Sequence, residues 1–372
     1  MLKKVMFFLP TLGGGGAERT VIQLANSFAE QGLNVDLVVC NLHGEKAKLL
    51  PEVSIKIQLV NLDCDRVVSA VIPLKKLLKR VDYDVLIATQ THSNIVCSIA
   101  KKMAQVKTKL IFREVSTPSK NMKLSGLKKW VFKSLTNWTY SSAQHVVCVS
   151  NGVLNDFREY YAYSGNNLIT IYNPVLDDAY FEKLNVPVKH RFINDVNKVI
   201  LAVGRLTEAK NFGFLIRSFS ELHRYYPETR LIILGEGELR DEFEALVAQL
   251  GINNVVDLPG FDSNPYAYFK YASLFVLSSN WEGLPGVLIQ ALASKVKVVS
   301  TDCPSGPIEI LKHAQFGLLV ESNDQVAMVT AMQQAIFGEY VQFSETDFEQ
   351  HCQQFHKQQV QLRYLALMEQ SI

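Results

Sequence analysis

The sequence predicts an α/β protein of two domains, each a parallel sheet covered by helices, and three observations carry that expectation. Short runs rich in Val, Ile, Leu and Phe alternate with amphipathic helical patterns from one end to the other, the pattern of strands joined by crossover helices. The chain has 372 residues, 48% of them hydrophobic, enough for two cores at roughly 100–200 residues per domain. The alternation breaks once, over residues 173–197, where Pro174, Pro187 and several charges make an irregular stretch suited to a linker.

Taken in order, the first half places strands over residues 4–10, 34–40, 85–89, 109–113, 145–149 and 168–171. A helix over residues 17–31 ends at Gly32, which can adopt the left-handed conformation of a helix stop. The second half places strands over 198–203, 230–234, 274–277 and 297–300, with helices near 212–225, 238–250 and 285–293. In the middle one of those helices Leu239, Phe243, Leu246 and Leu250 recur at three-to-four spacing, which puts them on one buried face. After Phe337 the chain is polar and helical, and a last helix over 357–369 is free to return to the first domain. The resulting division is 1–176, 177–356 and a terminal helix 357–372.

Composition narrows the classes of function. No run approaches the ~18 apolar residues of a membrane-spanning helix, and the apolar start at Val5 runs into glycines rather than a cleavage site. A cytoplasmic protein, soluble or peripheral at a membrane, is expected. The six cysteines stand singly, without the spacing of a zinc site, and several lie in strand-like runs, so they read as buried free thiols. The net charge of +2 hides an asymmetry: residues 1–176 hold 22 Lys+Arg against 12 Asp+Glu, a formal +10, and the remainder is −8. No nucleic-acid motif accompanies the basic half, so nucleic acid is not expected as a partner.

Three loops carry the chemistry. Gly13, Gly14, Gly15 and Gly16, followed by Ala17-Glu18-Arg19, lie between the first strand and a helix, where bare backbone and free amides attract phosphate. The spacing is not the dinucleotide fingerprint, because the sixth position counted from Gly13 or Gly14 is Glu18 or Arg19. In the second loop, Gly204-Arg205 to Lys210, two cations five residues apart can converge on one pyrophosphate, Arg205 as a fork and Lys210 as a point charge. Its place at a strand's carboxyl end is where open α/β sheets bind ligands. The third loop runs from Asn280 through Glu282, Gly283 and Leu284 into a helix whose first turn holds Pro285, with Gly286 and Val287 following. Glu282 can reach a sugar while Gln290, on the second turn, reaches a ribose, and the first amides can meet phosphate.

These motifs resemble the retaining glycosyltransferases of family 4, and in particular the branch that builds bacterial surface polysaccharides and lipid-linked oligosaccharides. The likeness spans nearly the whole chain: GGGGAER, SNGV from Ser150, YNPV from Tyr172, VGRLTEAKN from Val203, LGEG from Leu234, PGF from Pro259, WEGLPGVLIQALA from Trp281 and DCPSGPIEIL from Asp302. It implies the GT-B fold, two Rossmann-like domains facing across a cleft, with the terminal helix crossing back to the first. By the same likeness Arg205 and Lys210 hold the donor diphosphate, and Glu282 and Gln290 occupy the family's paired glutamate positions. Gln290 is a departure, since an amide still donates and accepts but lacks the bidentate carboxylate. Gly235, Glu236 and Phe261 would line the base, and Arg113 and Glu114 would face the acceptor with Gly13, Gly14 and Arg19.

The implied activity moves a hexose or N-acetylhexosamine from a nucleotide-diphosphate sugar, such as a UDP-sugar, to a lipid-linked or polysaccharide acceptor with retention. No acidic cluster occupies a plausible metal position, so a reaction without a bound metal or other cofactor is expected. Between Val115 and Asn155 there is no acidic residue, while Lys120, Lys123, Lys128, Lys129 and Lys133 fall inside. Leu124, Leu127, Val131, Leu135 and Trp138 recur there at helical spacing with Trp130 and Phe132 between them, and a second basic cluster holds Lys75, Lys76, Lys79 and Arg80. Basic helices with aromatics suit an anionic inner-membrane surface, which would make the protein peripheral on that face. A nucleotide-sugar epimerase or hydrolase of the same fold, and a non-catalytic partner subunit, are the competing readings.

Overall fold

The computed structural model describes residues 4–121, 125–194 and 196–369. The chain forms two compact units, one of Met1–Pro174 with Phe355–Ile372 and one of Val175–Gln354.

In the first unit seven strands, β1 (Lys4–Leu9), β2 (Asn34–Val39), β3 (Gln58–Asn61), β4 (Val85–Thr89), β5 (Lys109–Glu114), β6 (His145–Cys148) and β7 (Leu168–Thr170), form one sheet in the order β3-β2-β1-β4-β5-β6-β7. Every pairing is parallel, from Lys4↔Asn34 and Val5↔Val85 at the centre to Val146↔Leu168 at the edge. Alternation along β1 shows why both faces are covered. Val5, Phe7 and Leu9 enter the core built with the helix Gly16–Glu30, whereas Met6 and Phe8 enter the core built with helices Val71–Arg80 and Thr91–Ala104. The terminal helix Lys357–Glu369 supplies Val360, Tyr364, Leu367 and Met368 to the first of those cores. Gln361 Nε2 donates to the Ser27 carbonyl at 2.6 Å and Arg363 to the Thr170 carbonyl at 2.6 Å, so the returning helix is tied by polar contacts as well.

The second unit holds β8 (Lys198–Val203), β9 (Thr229–Leu234), β10 (Val256–Gly260), β11 (Leu274–Leu277), β12 (Val298–Thr301) and β13 (Leu318–Val320) in the order β10-β9-β8-β11-β12-β13, again all parallel. The helix Arg240–Gln249 buries Phe243 and Val247, with Leu239, Leu246 and Leu250 packed beside them.

Several expectations need correction. The linker stretch contains a helix, Asp178–Leu184, capped by the Asp177 carboxylate accepting from the Tyr180 amide at 2.8 Å. Three strands escaped the sequence reading, β3, β10 and β13, and all three are sheet edges. Edge strands are short and half-solvated, so their hydrophobic signal is weak, and β10 contains Pro259, which argues against a strand. Pro285 sits at the cap of the helix Gly286–Ala293 rather than inside it. Five of the cysteines are buried free thiols and Cys352 is half-buried.

Candidate active site

In the second unit the loops that follow β8, β9, β10, β11 and β12 interlock at the carboxyl edge of the sheet. Gly235, at φ +143°, lies so close to β8 that a Cβ there would stand 1.9 Å from the Gly204 carbonyl oxygen. A Cβ on Gly237 would meet the Leu206 oxygen at 2.4 Å. Backbone bonds complete the seam, the Gly235 amide donating to Gly260 at 2.8 Å and the Leu206 amide to Glu236 at 2.9 Å. The two Gly positions of LGEG are therefore demanded by close approach of the loop 204–210.

That loop delivers Lys210. Its stem passes over Gly204, where a Cβ would be 3.1 Å from Lys210 Cε, and its ammonium reaches Glu282 Oε1 at 2.6 Å. Ser279 Oγ donates to the same carboxylate oxygen at 2.6 Å. Ser278 Oγ donates to the Lys210 carbonyl at 2.8 Å, the Asn280 amide to Ala209 at 2.8 Å, and Asn280 Nδ2 to the Glu208 carbonyl at 2.9 Å. Lys210 and Glu282, far apart in sequence, are thus fixed as one ion pair with only 18% and 12% of their side chains exposed. Arg205 is exposed and, among the described residues, forms no ion pair.

The Glu282 amide donates to the Pro304 carbonyl at 3.1 Å, and Gly306, at φ +97°, packs where a Cβ would be 2.6 Å from Pro285 Cδ. The helix Gly286–Ala293 that follows has no side-chain cap among the described residues, so the amides of Gly286 and Val287 meet no capping side chain. Gly283 and Leu284 lead into it, Leu284 being buried. Gln290 is half-buried, and its carbonyl accepts from Tyr180 Oη at 2.6 Å. On the β9 side Glu236 pairs with Arg240 at 2.9 Å, and Phe261 is exposed. Sequence reasoning missed Ser279 and Arg240, whose signal lay only in their adjacency to chosen residues, and named Asn280 only as the start of its loop. It also passed over Ser305, a buried residue at φ +71° whose hydroxyl finds no partner among the described residues.

In the first unit the glycine loop precedes the helix Gly16–Glu30, capped by Gly15, and Gly14 takes φ +106°. The loop is braced by 45–49: the Leu12 amide donates to Lys46 at 2.8 Å and the Leu49 amide to Leu12 at 2.9 Å. Gly13 faces this brace, with a Cβ there 3.7 Å from the Glu45 oxygen, and Gly14 lies beside the Lys48 stem. Glu18 folds back over Gly15, so a carboxylate already stands near this helix N-terminus. Arg19 forks onto Glu52, Nε at 3.1 Å and the terminal nitrogen at 2.9 Å.

Arg113 and Glu114 lie inside the unit, 1% and 2% exposed. Arg113 donates to Tyr364 Oη and Asn173 Oδ1, each at 2.8 Å. Glu114 accepts from Asn94 Nδ2 at 3.1 Å and from Tyr140 Oη, and burial raises its carboxyl to about 8. The basic stretch forms the helix Gly126–Ser141, with Lys123 and Leu124 outside the described residues. Leu127, Trp130, Val131 and Trp138 are exposed on it, Lys129 and Lys133 lie over the Tyr160 ring, and Leu135 and Phe132 are half-buried. No helix among the described residues is long and apolar enough to cross a membrane, and no cluster of three His, Cys, Asp or Glu is placed to hold a metal.

Two parallel-sheet domains with helices on both faces and ligand-suited loops at the strands' carboxyl ends define the GT-B class. Solved structures share the architecture: a lipopolysaccharide outer core galactosyltransferase, WaaB, at TM-score 0.76 and 20% identity over 99% of each chain, and Anabaena HepE, in complex with UDP and glucose, at TM-score 0.76 and 18% identity over 98% of each. The family descriptions "Glycosyltransferase Family 4" and "Glycosyl transferases group 1" match residues 14–178 and 188–351. A Campylobacter jejuni protein named N-acetylgalactosamine-N,N'-diacetylbacillosaminyl-diphospho-undecaprenol 4-alpha-N-acetylgalactosaminyltransferase is 30% identical over 336 residues, 88% of each chain. The chain belongs to glycosyltransferase family 4.

Proposed function

We propose that the chain transfers a hexose or N-acetylhexosamine from a UDP-sugar to a lipid-linked or polysaccharide acceptor, with retention of configuration and without a bound metal ion. The observation that carries this reading is the Lys210–Glu282 pair, held at 2.6 Å between two loops at the sheet's carboxyl edge, beside an uncapped helix N-terminus. A departing nucleoside diphosphate is an anion, and fixed cations and amides stabilise it without reorganising during the reaction. Lys210, Arg205 and the amides of Gly286 and Val287 fill that role. Glu282 keeps the ammonium positioned until the phosphate arrives, and is then released to accept from sugar hydroxyls. Gln290 takes the ribose, and Gly235, Glu236 and Phe261 flank the base.

An N-acetylhexosamine and a diphospho-undecaprenol acceptor are favoured by the name of the Campylobacter relative, and UDP by the ligand of the Anabaena structure. The exposed apolar side chains of helix Gly126–Ser141, with exposed Lys128 on the same helix, support a peripheral site on an anionic inner membrane, where a lipid-linked acceptor resides.

Mass spectrometry of products, after UDP-, GDP- and TDP-sugars are offered with membrane extract, tests the reading. A lipid-extractable species heavier by one sugar should appear with a UDP-sugar. Release of free or epimerised sugar with no acceptor product would replace transfer by hydrolysis or epimerisation.

A further inference from the structure

Helices Thr91–Ala104 and Gly126–Ser141 pack side by side in the first unit, and between their carboxyl ends lies a cavity of about 330 Å³. Lys101 and Lys102 line it from one helix, Trp138 from the other, with Ser98 and Ser142 between. The hydroxyls serve each other: Ser142 Oγ donates to the Thr139 carbonyl at 2.6 Å and lies 2.9 Å from Ser98 Oγ. With the hydroxyls engaged, the charged groups facing this cavity are the two ammonium groups, with the exposed side chain of Gln105 beside them.

Lys101 is half-buried, and burial lowers its pKa below the ordinary 10.5. Among the described residues no carboxylate pairs with it. A desolvated cation without an anion is unfavourable, since burial penalises the charged form unless an opposite charge compensates. Lys102 Nζ lies 4.8 Å from the centre of the Trp138 ring, again without a carboxylate among the described residues. Lys101 is thus a half-buried positive charge and Lys102 an exposed one next to it, neither paired with a carboxylate among the described residues.

We propose that this cavity binds the phosphodiester headgroup of an anionic phospholipid, an inference that rests on the membrane-facing reading of the same helix. Charge complementarity selects an anion, and continuity selects a lipid. Trp138 both lines the cavity and is exposed, and Leu127, Trp130 and Val131 stand exposed on the same helix. A headgroup seated between the lysines leaves its acyl chains beside apolar side chains, which a free phosphate has no use for.

The test titrates the full-length protein with dihexanoyl phosphatidylglycerol below its micelle concentration, following the Trp138 indole resonance, identified by its loss in Trp138→Phe. Dihexanoyl phosphatidylcholine and inorganic phosphate serve as comparison ligands. In parallel, co-sedimentation is measured with phosphatidylcholine vesicles with and without phosphatidylglycerol. Phosphatidylglycerol should move the resonance, and K101Q/K102Q should abolish the shift and weaken vesicle binding about five-fold per lysine. K75Q/K76Q should weaken vesicle binding yet keep the shift. A resonance that phosphatidylglycerol leaves still, or that K101Q/K102Q leaves responsive, overturns the pocket while vesicle binding preserves the membrane reading. A response to phosphate as strong as to the lipid overturns the lipid assignment. A persistent shift without vesicle binding supports the phosphodiester site and removes the membrane reading.

Discussion

Lys210 and Arg205 occupy one loop in different states, and removing each should have different consequences. Lys210 is engaged with Glu282 and half-sheltered, whereas Arg205 is exposed. Lys210→Ala should lower kcat by about 10²–10³, the usual loss for one fixed group stabilising a developing charge. It also leaves Glu282 with Ser279 as a remaining donor, so a modest loss of stability accompanies it. Arg205→Ala should lower kcat/KM without moving Tm, because an exposed side chain with no ion-pair partner among the described residues contributes within about 0.5 kcal/mol to stability. Steady-state kinetics with thermal melts separate the two, and wild-type turnover in either variant would remove the diphosphate assignment.

Glu114 gives a second consequence of a single environment. Its folded value of about 8 stands above the ordinary 4.5, so the folded chain keeps a proton that the unfolded chain has released. Stability from this group is therefore fully present below about pH 4.5 and is lost as pH rises towards about 8. Urea unfolding between about pH 5 and pH 9 should show a decline for the wild type and a flatter profile for Glu114→Gln, the variant being favoured at the alkaline end. Parallel slopes in the two proteins would mean that the carboxyl is ionised when folded.

At the scale of elements, the helix Lys357–Glu369 depends on where it docks. Its 13 residues are near the length at which an isolated helix is marginal in water, so burial of Val360, Tyr364 and Met368 must hold it. Tyr364 also accepts from Arg113, a guanidinium 1% exposed. Tyr364→Ala should destabilise the first unit by about 3–5 kcal/mol, while Tyr364→Phe, which keeps the ring and loses the bond to a charged donor, should cost about 1.5–3 kcal/mol. Hydrogen exchange of the amides in helix Gly16–Glu30, which packs against it, reads both; unchanged protection in Tyr364→Ala would show that the terminal helix contributes nothing to that core. Central elements of this kind were legible in the sequence because continuous apolar runs such as Val5 to Leu9 are what strands buried on both faces require. The edges were not: β13 has three residues and β10 carries a proline. Within the site, the positions of Lys210 and Glu282 could be chosen from their motifs, but their pairing could not, because it joins loops 72 residues apart. Arg113 shows the complementary limit, since a charged residue at a strand end reads as available until the helix bearing Tyr364 is seen to cover it.

For the whole molecule the division of charge is sharper by unit than by sequence half. Met1–Pro174 with Phe355–Ile372 holds 24 Lys+Arg and 13 Asp+Glu, a formal +11, and Val175–Gln354 holds 14 and 23, a formal −9. Net charge far from zero on one unit acts on association with charged surfaces rather than on folding. If the first unit meets the membrane as proposed, an anionic bilayer would attract it at about 1 kcal/mol per basic residue near the surface, and salt would screen that attraction beyond a Debye length of about 10 Å at 0.1 M. The apolar contribution of Leu127, Trp130 and Val131 is not screened in this way. Binding to phosphatidylglycerol vesicles should therefore fall as salt rises but level off at a residual affinity. Replacing Trp130 and Val131 by Ser should remove the residue and leave the salt-dependent part. Equal sedimentation with neutral and anionic vesicles, insensitive to salt, would show that the basic unit does not meet the membrane through its charge.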